Sequence, residues 1–278
     1  MSAHPYQGIS AAFPTKHQKE KIVSPIFAAR DIKLIVSEVD TDLLGTFSGE
    51  IPRIGTPKEV VLKKARLGIT DSGLPFSVAS EGSIAADPLI PFVISDIECM
   101  AWIDVMRNIE IVEFYRSLDI IAARTIITKS DSLEEFLKRA DFPNHSLITR
   151  SENGSGQIYK GLNSIESLRK SLNKLWIDSE KLIIESDLRA HHSPSRRQNI
   201  AILAARLVNR LSQLCPKCQI PGWGQVGELY GVECRECEFI ENQAVNGKVF
   251  GCASCDYEEK KLNEKRFIEP AECSFCNP

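Results

Sequence analysis

Apolar positions along the chain change period repeatedly, and each change predicts an element. The apolar start Gly8 to Phe13 reads as a strand that ends in the polar cluster Thr15-Lys16-His17-Gln18-Lys19-Glu20. A helix is expected from about Lys19 to Ala29, bent or delayed by Pro25, and Ile32 to Val36 then alternates like a strand. Asp40 to Gly55, rich in glycine, charge and hydroxyls, reads as a loop whose groups can meet a ligand. Thr56 with Glu59 gives a capping-box signature, Pro57 suits the first helical position, and the helix should reach about Ile69. Gly73 releases the chain into a strand, Leu74 to Ala79, expected to stop at Ser80-Glu81-Gly82-Ser83. Strands near Cys99 to Val105 and Ile109 to Tyr115 form a predicted hairpin across Met106-Arg107-Asn108.

Further on, Thr125 to Thr128, Ser146 to Thr149 and Leu182 to Glu185 read as short strands, and Ser132 to Ala140 and Ile165 to Trp176 as helices. Hairpins mixed with strand-helix-strand units predict an α/β fold, a mixed sheet with flanking helices. A last helix starts with Ser193 as N-cap and Pro194 in the first turn. It keeps Ile200, Leu203, Leu207, Leu211 and Leu214 on one stripe and runs directly into Cys215.

The 278 residues suffice for one substantial domain, taken as residues 1–212, plus a small one at 213–278. With 43% hydrophobic and 26% charged residues the chain reads as globular rather than disordered or fibrous. No export signal or membrane-length apolar run is present, so a cytoplasmic protein without a membrane partner is expected. A net charge of −3 lacks the general basic footprint of a nucleic-acid binder.

Eight of the nine cysteines form four Cys-x-x-Cys pairs, Cys215/Cys218, Cys234/Cys237, Cys252/Cys255 and Cys273/Cys276. Two intervening residues let both sulfurs of a knuckle face one ion, and two knuckles complete a tetrahedral thiolate site. Four knuckles therefore predict a C-terminal double zinc ribbon holding two structural Zn2+ in closed sites, with iron-sulfur ligation the competing chemistry. Sequential pairing, first knuckle with second and third with fourth, is the expected arrangement. The alternative nests Cys234/Cys237/Cys252/Cys255 inside a hairpin turned at Asn246-Gly247. Cys99 stands alone in an apolar strand and reads as an inert core thiol.

The N-terminal region gathers Thr15, His17, Lys19, Asp40, Asp42, Gly45, Thr46, Gly49, Glu50, Arg53, Glu59, Lys63, Arg66 and Glu81. Cations and hydroxyls of this kind bind phosphate oxygens, and carboxylates hold the Mg2+ that bridges them. A solvated charged face is the plainer account of Lys63 and Arg66, and a hydrogen-bonded turn residue that of His17. Thr15, Asp40 and Glu81 each follow an apolar strand, where open α/β sheets collect ligand groups. Arg189 and Arg196, between a strand and a helix N-terminus, either complete a phosphate site or form an ion-pair network fixing the last helix.

These segments, with Ala79-Ser80-Glu81-Gly82-Ser83 and Asp187-Leu188-Arg189-Ala190-His191 before the cysteine tail, resemble an uncharacterised bacterial domain-of-unknown-function family over nearly the whole chain. The order of Thr15, His17 and Lys19, then Gly55 to Arg66, then Glu81-Gly82, is also similar to the house-cleaning pyrophosphatases that hydrolyse non-canonical purine nucleoside triphosphates. That second resemblance implies Lys19 on the triphosphate and Glu81 on Mg2+. His17 stands where those enzymes have asparagine, and Lys19 comes one residue early.

The resulting expectation is Mg2+-dependent hydrolysis of a nucleotide or other phosphorylated small molecule. Glu50, Glu81 and Lys19 would be catalytic, and Thr15, His17, Lys19, Arg53 and Arg189 would hold phosphate. The rival reading is a non-enzymatic adaptor whose zinc ribbon grips nucleic acid or protein, with Trp223 as its one notable exposed-aromatic candidate in the first ribbon.

Overall fold

The computed structural model describes residues 4–16, 18–37, 39 and 55–278. The first sheet is built from β1 (Ile9–Pro14), β2 (Ile32–Ser37), β3 (Phe76–Ala86), β4 (Ile94–Asp104) and β5 (Ile109–Ser117), in the order β2-β1-β3-β4-β5. β1 runs parallel to β2 and β3, and β3, β4 and β5 are antiparallel neighbours. The chain moves outward from β1 to β2 through α1 (Glu20–Ala28), then back past β1 to β3 through α2 (Pro57–Ser72). Because the direction reverses, crossovers of the same hand place these two helices on opposite faces. Val23 and Phe27 of α1 pack with Phe76, Val78 and Trp102, whereas Val61 and Ala65 of α2 pack with Ala79 and Cys99.

The expected capping box of α2 is formed. Thr56 Oγ1 accepts from the Glu59 amide, the Glu59 carboxylate accepts from the Thr56 amide at 2.8 Å, and Gly73 closes the helix at a φ of 68°. Pro25 lies inside α1, which begins at Glu20. Cys99 is buried among apolar neighbours, as its strand position implied.

The single mixed sheet expected for the body is in fact two sheets. The second contains β6 (Arg124–Ile127), β7 (Leu147–Ser151), β8 (Tyr159–Leu162) and β9 (Leu182–Ser186), all antiparallel in the order β6-β9-β7-β8. α3 (Glu134–Arg139) and α4 (Ile165–Leu175) cover it through a separate core centred on Phe136, Leu147, Leu168 and Leu182. β8 had no alternating signature to announce it. The long α5 (Pro194–Leu211), capped by Ser193 as expected, lays Ile200, Leu203, Leu207 and Leu211 across the same face of the first sheet as α1.

A third sheet carries the tail: β10 (Gly224–Cys234), β11 (Ile240–Gly251), β12 (Glu258–Leu262) and β13 (Phe267–Ile268), in the order β12-β11-β10-β13. Asn246-Gly247 is no turn, since both residues lie inside β11. Gly247 is needed there because a β-carbon would collide with the Lys261 carbonyl on β12.

Candidate active site and metal centres

β3 does not stop at Ala79 as its polar residues suggested. Ser80, Glu81 and Gly82 continue the strand and pair with Met100, Cys99 and Glu98 of β4. Their polar groups are satisfied inside the fold, so they need not leave it. Alternation sends Ser80 toward the face of α1 and α5, and Glu81 toward α2.

The result is a buried charge cluster around the carboxyl end of β1, at the point where the sheet order reverses. Lys19, the residue after the turn at Gln18, donates from Nζ to Ser80 Oγ at 3.0 Å and is only 7% exposed. Burial lowers its pKa to about 8, while Glu98 and Glu81 pull it back up and Arg196 and Lys64 push it down. On the α2 face Lys64 Nζ meets Glu81 Oε2 at 2.5 Å. On the α5 face Arg196 Nε meets Glu98 Oε1 at 2.5 Å, and its Nη1 donates to the Leu188 carbonyl at 2.8 Å. Gly82 makes room for this pair, because a β-carbon there would collide with the Glu98 carboxyl.

A second carboxyl lies beside Glu98. Asp96 accepts from Asn199 Nδ2 at 2.9 Å through Oδ2, while its Oδ1 and Glu98 Oε2 are both buried without a donor. Burial, then the charge of Glu98, pushes the Asp96 pKa up to about 7. A proton carried on Asp96 and facing Glu98 satisfies both oxygens at once.

Of the residues singled out from sequence, Lys19 and Glu81 are thus brought to one cluster from different elements. Thr15 stands just after β1, with its hydroxyl donating to the Lys16 carbonyl at 3.2 Å. His17, Asp40, Asp42, Gly45, Thr46, Gly49, Glu50 and Arg53 lie outside the described residues. Lys63 and Arg66 are exposed, as a solvated helix face requires, and Arg66 pairs with Glu110 at 2.5 Å. Arg189 is clamped on Asp187 through Nε at 2.9 Å and Nη2 at 2.5 Å, and Arg196 is committed to Glu98, which favours the ion-pair alternative for this segment.

Sequence reasoning missed Lys64, Ser80, Asp96 and Glu98. Lys64 had a readable signal, since it interrupts the buried stripe Val60, Val61, Ala65 and Gly68 of α2. Asp96 and Glu98 alternate with Met100 and Trp102 on one face of β4, but the strand was expected to begin only near Cys99.

A third arrangement looks catalytic and is better explained by structure. His145 contacts Asp141 at 2.8 Å through Nδ1 and Ser195 Oγ at 3.0 Å through Nε2. The Ser195 amide also donates to that Nε2 at 3.2 Å, and Ser195 Oγ accepts from the Ile121 amide at 3.2 Å. The single lone pair of Nε2 is therefore claimed by the backbone, and the group pins the first turn of α5 to the loop after α3.

In the tail the four knuckles pair neither sequentially nor nested. Cys215, Cys218, Cys252 and Cys255 form one cluster and Cys234, Cys237, Cys273 and Cys276 the other, first knuckle with third and second with fourth. The strand geometry is the reason. β10 and β11 are antiparallel from Gly224↔Gly251 to Glu233↔Ile240, so the second knuckle is itself the hairpin turn. Ten strand steps carry it about 30 Å from the first. β11 returns the third knuckle to the first, and β12 and β13 bring the fourth back to the second.

Sulfur separations across the clusters are 3.9 Å for Cys215–Cys255, 3.6 Å for Cys218–Cys252, 3.9 Å for Cys234–Cys276 and 3.7 Å for Cys237–Cys273. A tetrahedron with zinc–sulfur bonds of about 2.3 Å has edges of about 3.8 Å. The donor sets thus fit one zinc each, and they are too tight for a cluster whose sulfurs bind different irons. The Cys255 amide donates to Cys252 Sγ at 3.3 Å, the kind of backbone contact that stabilises a thiolate. With four protein ligands, such ions hold structure and leave no position for substrate.

No curated protein matches the chain. One solved structure, the competence-damaged protein (CinA) superfamily protein from Enterobacter cloacae, matches at 16% identity over 41% of this chain and 69% of that chain, with a TM-score of 0.21, too low to bear on fold or function. Neither this structure nor the family model is a nucleotide pyrophosphatase by its description. The model described as Domain of unknown function (DUF6671) matches residues 64–278, from the lysine that pairs with Glu81 to the last residue after the fourth knuckle, and the chain belongs to that family.

Proposed function

We propose that the charge cluster around the carboxyl end of β1 binds and hydrolyses a nucleotide or a related phosphate ester. The observation that carries this reading is the burial of three cations, Lys19, Lys64 and Arg196, against Glu81 and Glu98 at the reversal point of the sheet. Ligands of open α/β sheets settle at such points. Asp96, with its pKa raised to about 7, carries only part of a negative charge at neutral pH, which leaves the Lys19 cation to attract an anion. Lys19, at the end of the first loop, is the group best placed to meet a phosphate. Thr15, His17 and Arg53 are its proposed partners, and Glu50 is the proposed second acid.

Mg2+, when bound at such a site, polarises phosphoryl oxygens and activates water. The described carboxylates do not fit that ion as they stand, because Glu81 is held by Lys64 and Glu98 by Arg196. The protein cations themselves take the neutralising part in this reading. Phosphate and pyrophosphate release from a nucleotide panel, with and without Mg2+, is the direct test. Turnover should fall as pH rises through about 8, where Lys19 loses its charge. Glu81→Gln should reduce turnover at least tenfold and leave zinc content unchanged, and no release from any nucleotide or sugar phosphate would sink the reading.

A further inference from the structure

A broad cleft of about 1240 Å3 separates the β5 edge of the first sheet from the ribbon strands β10, β11 and β12. It lies apart from the charge cluster around Lys19, whose residues do not line it. Although the whole chain is acidic, this cleft is not. Five cations line it against three acids, and two of those acids are already neutralised, Glu113 by Arg210 at 2.6 Å and Glu110 by Arg66 at 2.5 Å. Lys58, Arg206, Lys248 and Lys261 are all exposed in its walls and have no carboxylate partner among the described residues.

Lys248 on β11 and Lys261 on β12 are register partners, directly opposite one another in an antiparallel pair. Like charges so placed repel, and Glu228, opposite Lys248 on β10, offsets only part of that repulsion. An anionic ligand turns the same pair into a clamp. Opposite them Arg206 projects from α5, with its guanidinium 4.5 Å from the Tyr115 ring centroid. Aromatic surface is interleaved with this charge. Phe114 is 45% exposed on the β5 edge, and Trp223, stacked on Tyr257 with 5.5 Å between ring centroids, stands at the ribbon's entrance.

We propose that this cleft binds single-stranded nucleic acid. The phosphates would lie along Lys58, Arg206, Lys248 and Lys261, and the bases would stack on Trp223 and Phe114. Cations tracking a backbone, with aromatic rings between them, are what a sequence-tolerant single-strand site requires. The two halves of the site come from different parts of the chain, so the zinc ions hold one wall in place.

The test uses the full-length zinc-loaded protein and fluorescein-labelled single-stranded RNA and DNA 12-mers, a duplex of the same sequence, and labelled polyglutamate. Anisotropy should show saturable binding of one or both single strands. With about four phosphate contacts, raising salt from about 50 to 200 mM should weaken binding about 50-fold. Lys248→Ala with Lys261→Ala should weaken it at least tenfold without lowering the melting temperature or the zinc content, and Trp223→Leu should weaken it separately. Glu81→Gln should leave binding unchanged, which separates this site from the proposed hydrolytic one. Equal or tighter binding of the duplex or of polyglutamate, or binding indifferent to the lysine pair, would overturn the proposal, as would no binding at low salt.

Discussion

At the scale of single residues the chain's most informative feature is the carboxyl pair Asp96 and Glu98, two positions apart on one face of β4 and wholly shielded from water. Asp96 takes up its proton at about pH 7 in the fold, well above an ordinary aspartate. Between the ordinary value and 7 the folded chain therefore binds a proton that the unfolded chain has released. Its contribution to stability is full at low pH and is lost as pH rises through that window. The slope should be on the order of 1 kcal/mol per pH unit. Asp96→Asn imitates the protonated form, since its amide can donate to Glu98 and its oxygen can still accept from Asn199. Chemical denaturation at pH 5 and pH 8 should show the variant losing less stability than the parent over that interval. An identical pH dependence for the two proteins would mean that Asp96 is ionised throughout. None of this was readable from residue types alone. An acid in a strand is normally a surface residue, and only the inward register of β4, with Met100 and Trp102 beside it, marks these two as interior.

Elements were more legible than their extents. Caps and turn residues announced α2, α5 and the hairpin between β4 and β5, because Thr56, Gly73 and Ser193 act locally and their chemistry does not depend on distant partners. The strand β3 runs past the stop that its sequence suggests, because Ser80-Glu81-Gly82 looks like a loop until Lys19, Lys64 and Glu98 are brought to it from elsewhere. In the tail, ligand identity followed from spacing alone but ligand pairing did not, since it depends on hairpin length. The crossed arrangement makes a sharp stoichiometric prediction. Cys215→Ser and Cys252→Ser should each cost about one zinc, and the double variant should still retain about one, because both serve the same ion. Cys215→Ser combined with Cys234→Ser should lose both. Metal analysis of these two double variants distinguishes crossed from sequential pairing, under which the outcomes would be exchanged.

At the scale of the molecule, the change of composition near residues 212 and 213 leads one to expect a boundary there, whereas the packing across it is continuous rather than loose. Ile220, between the first knuckle and β10, and Ala253, within the third knuckle, pack against the same core as Trp102, Ile111 and Leu207. Gly222 lies so close to Ile111 that a β-carbon would come within 2.6 Å of its Cδ1, and its carbonyl accepts from Arg210 Nε at 3.2 Å. The zinc site formed by the first and third knuckles thus sits on the end of α5, whereas the other site, at the far end of the hairpin, makes no such contact with that core. Removing the tail after Gln213 strips the cover from Ile111 and Leu211. Exposure of that apolar surface should cost about 3 kcal/mol. For a body of this size that is roughly a 10 °C fall in melting temperature, with the transition still cooperative. Losing only the distal zinc through Cys276→Ser should leave the body's melting temperature within about 2 °C, since single surface changes remote from a core rarely exceed half a kcal/mol. Losing the proximal zinc through Cys252→Ser should reproduce most of the truncation's effect. If both cysteine variants shift the melt equally, the two sites support the body to the same degree, and the docking of the proximal site onto α5 contributes no stability of its own.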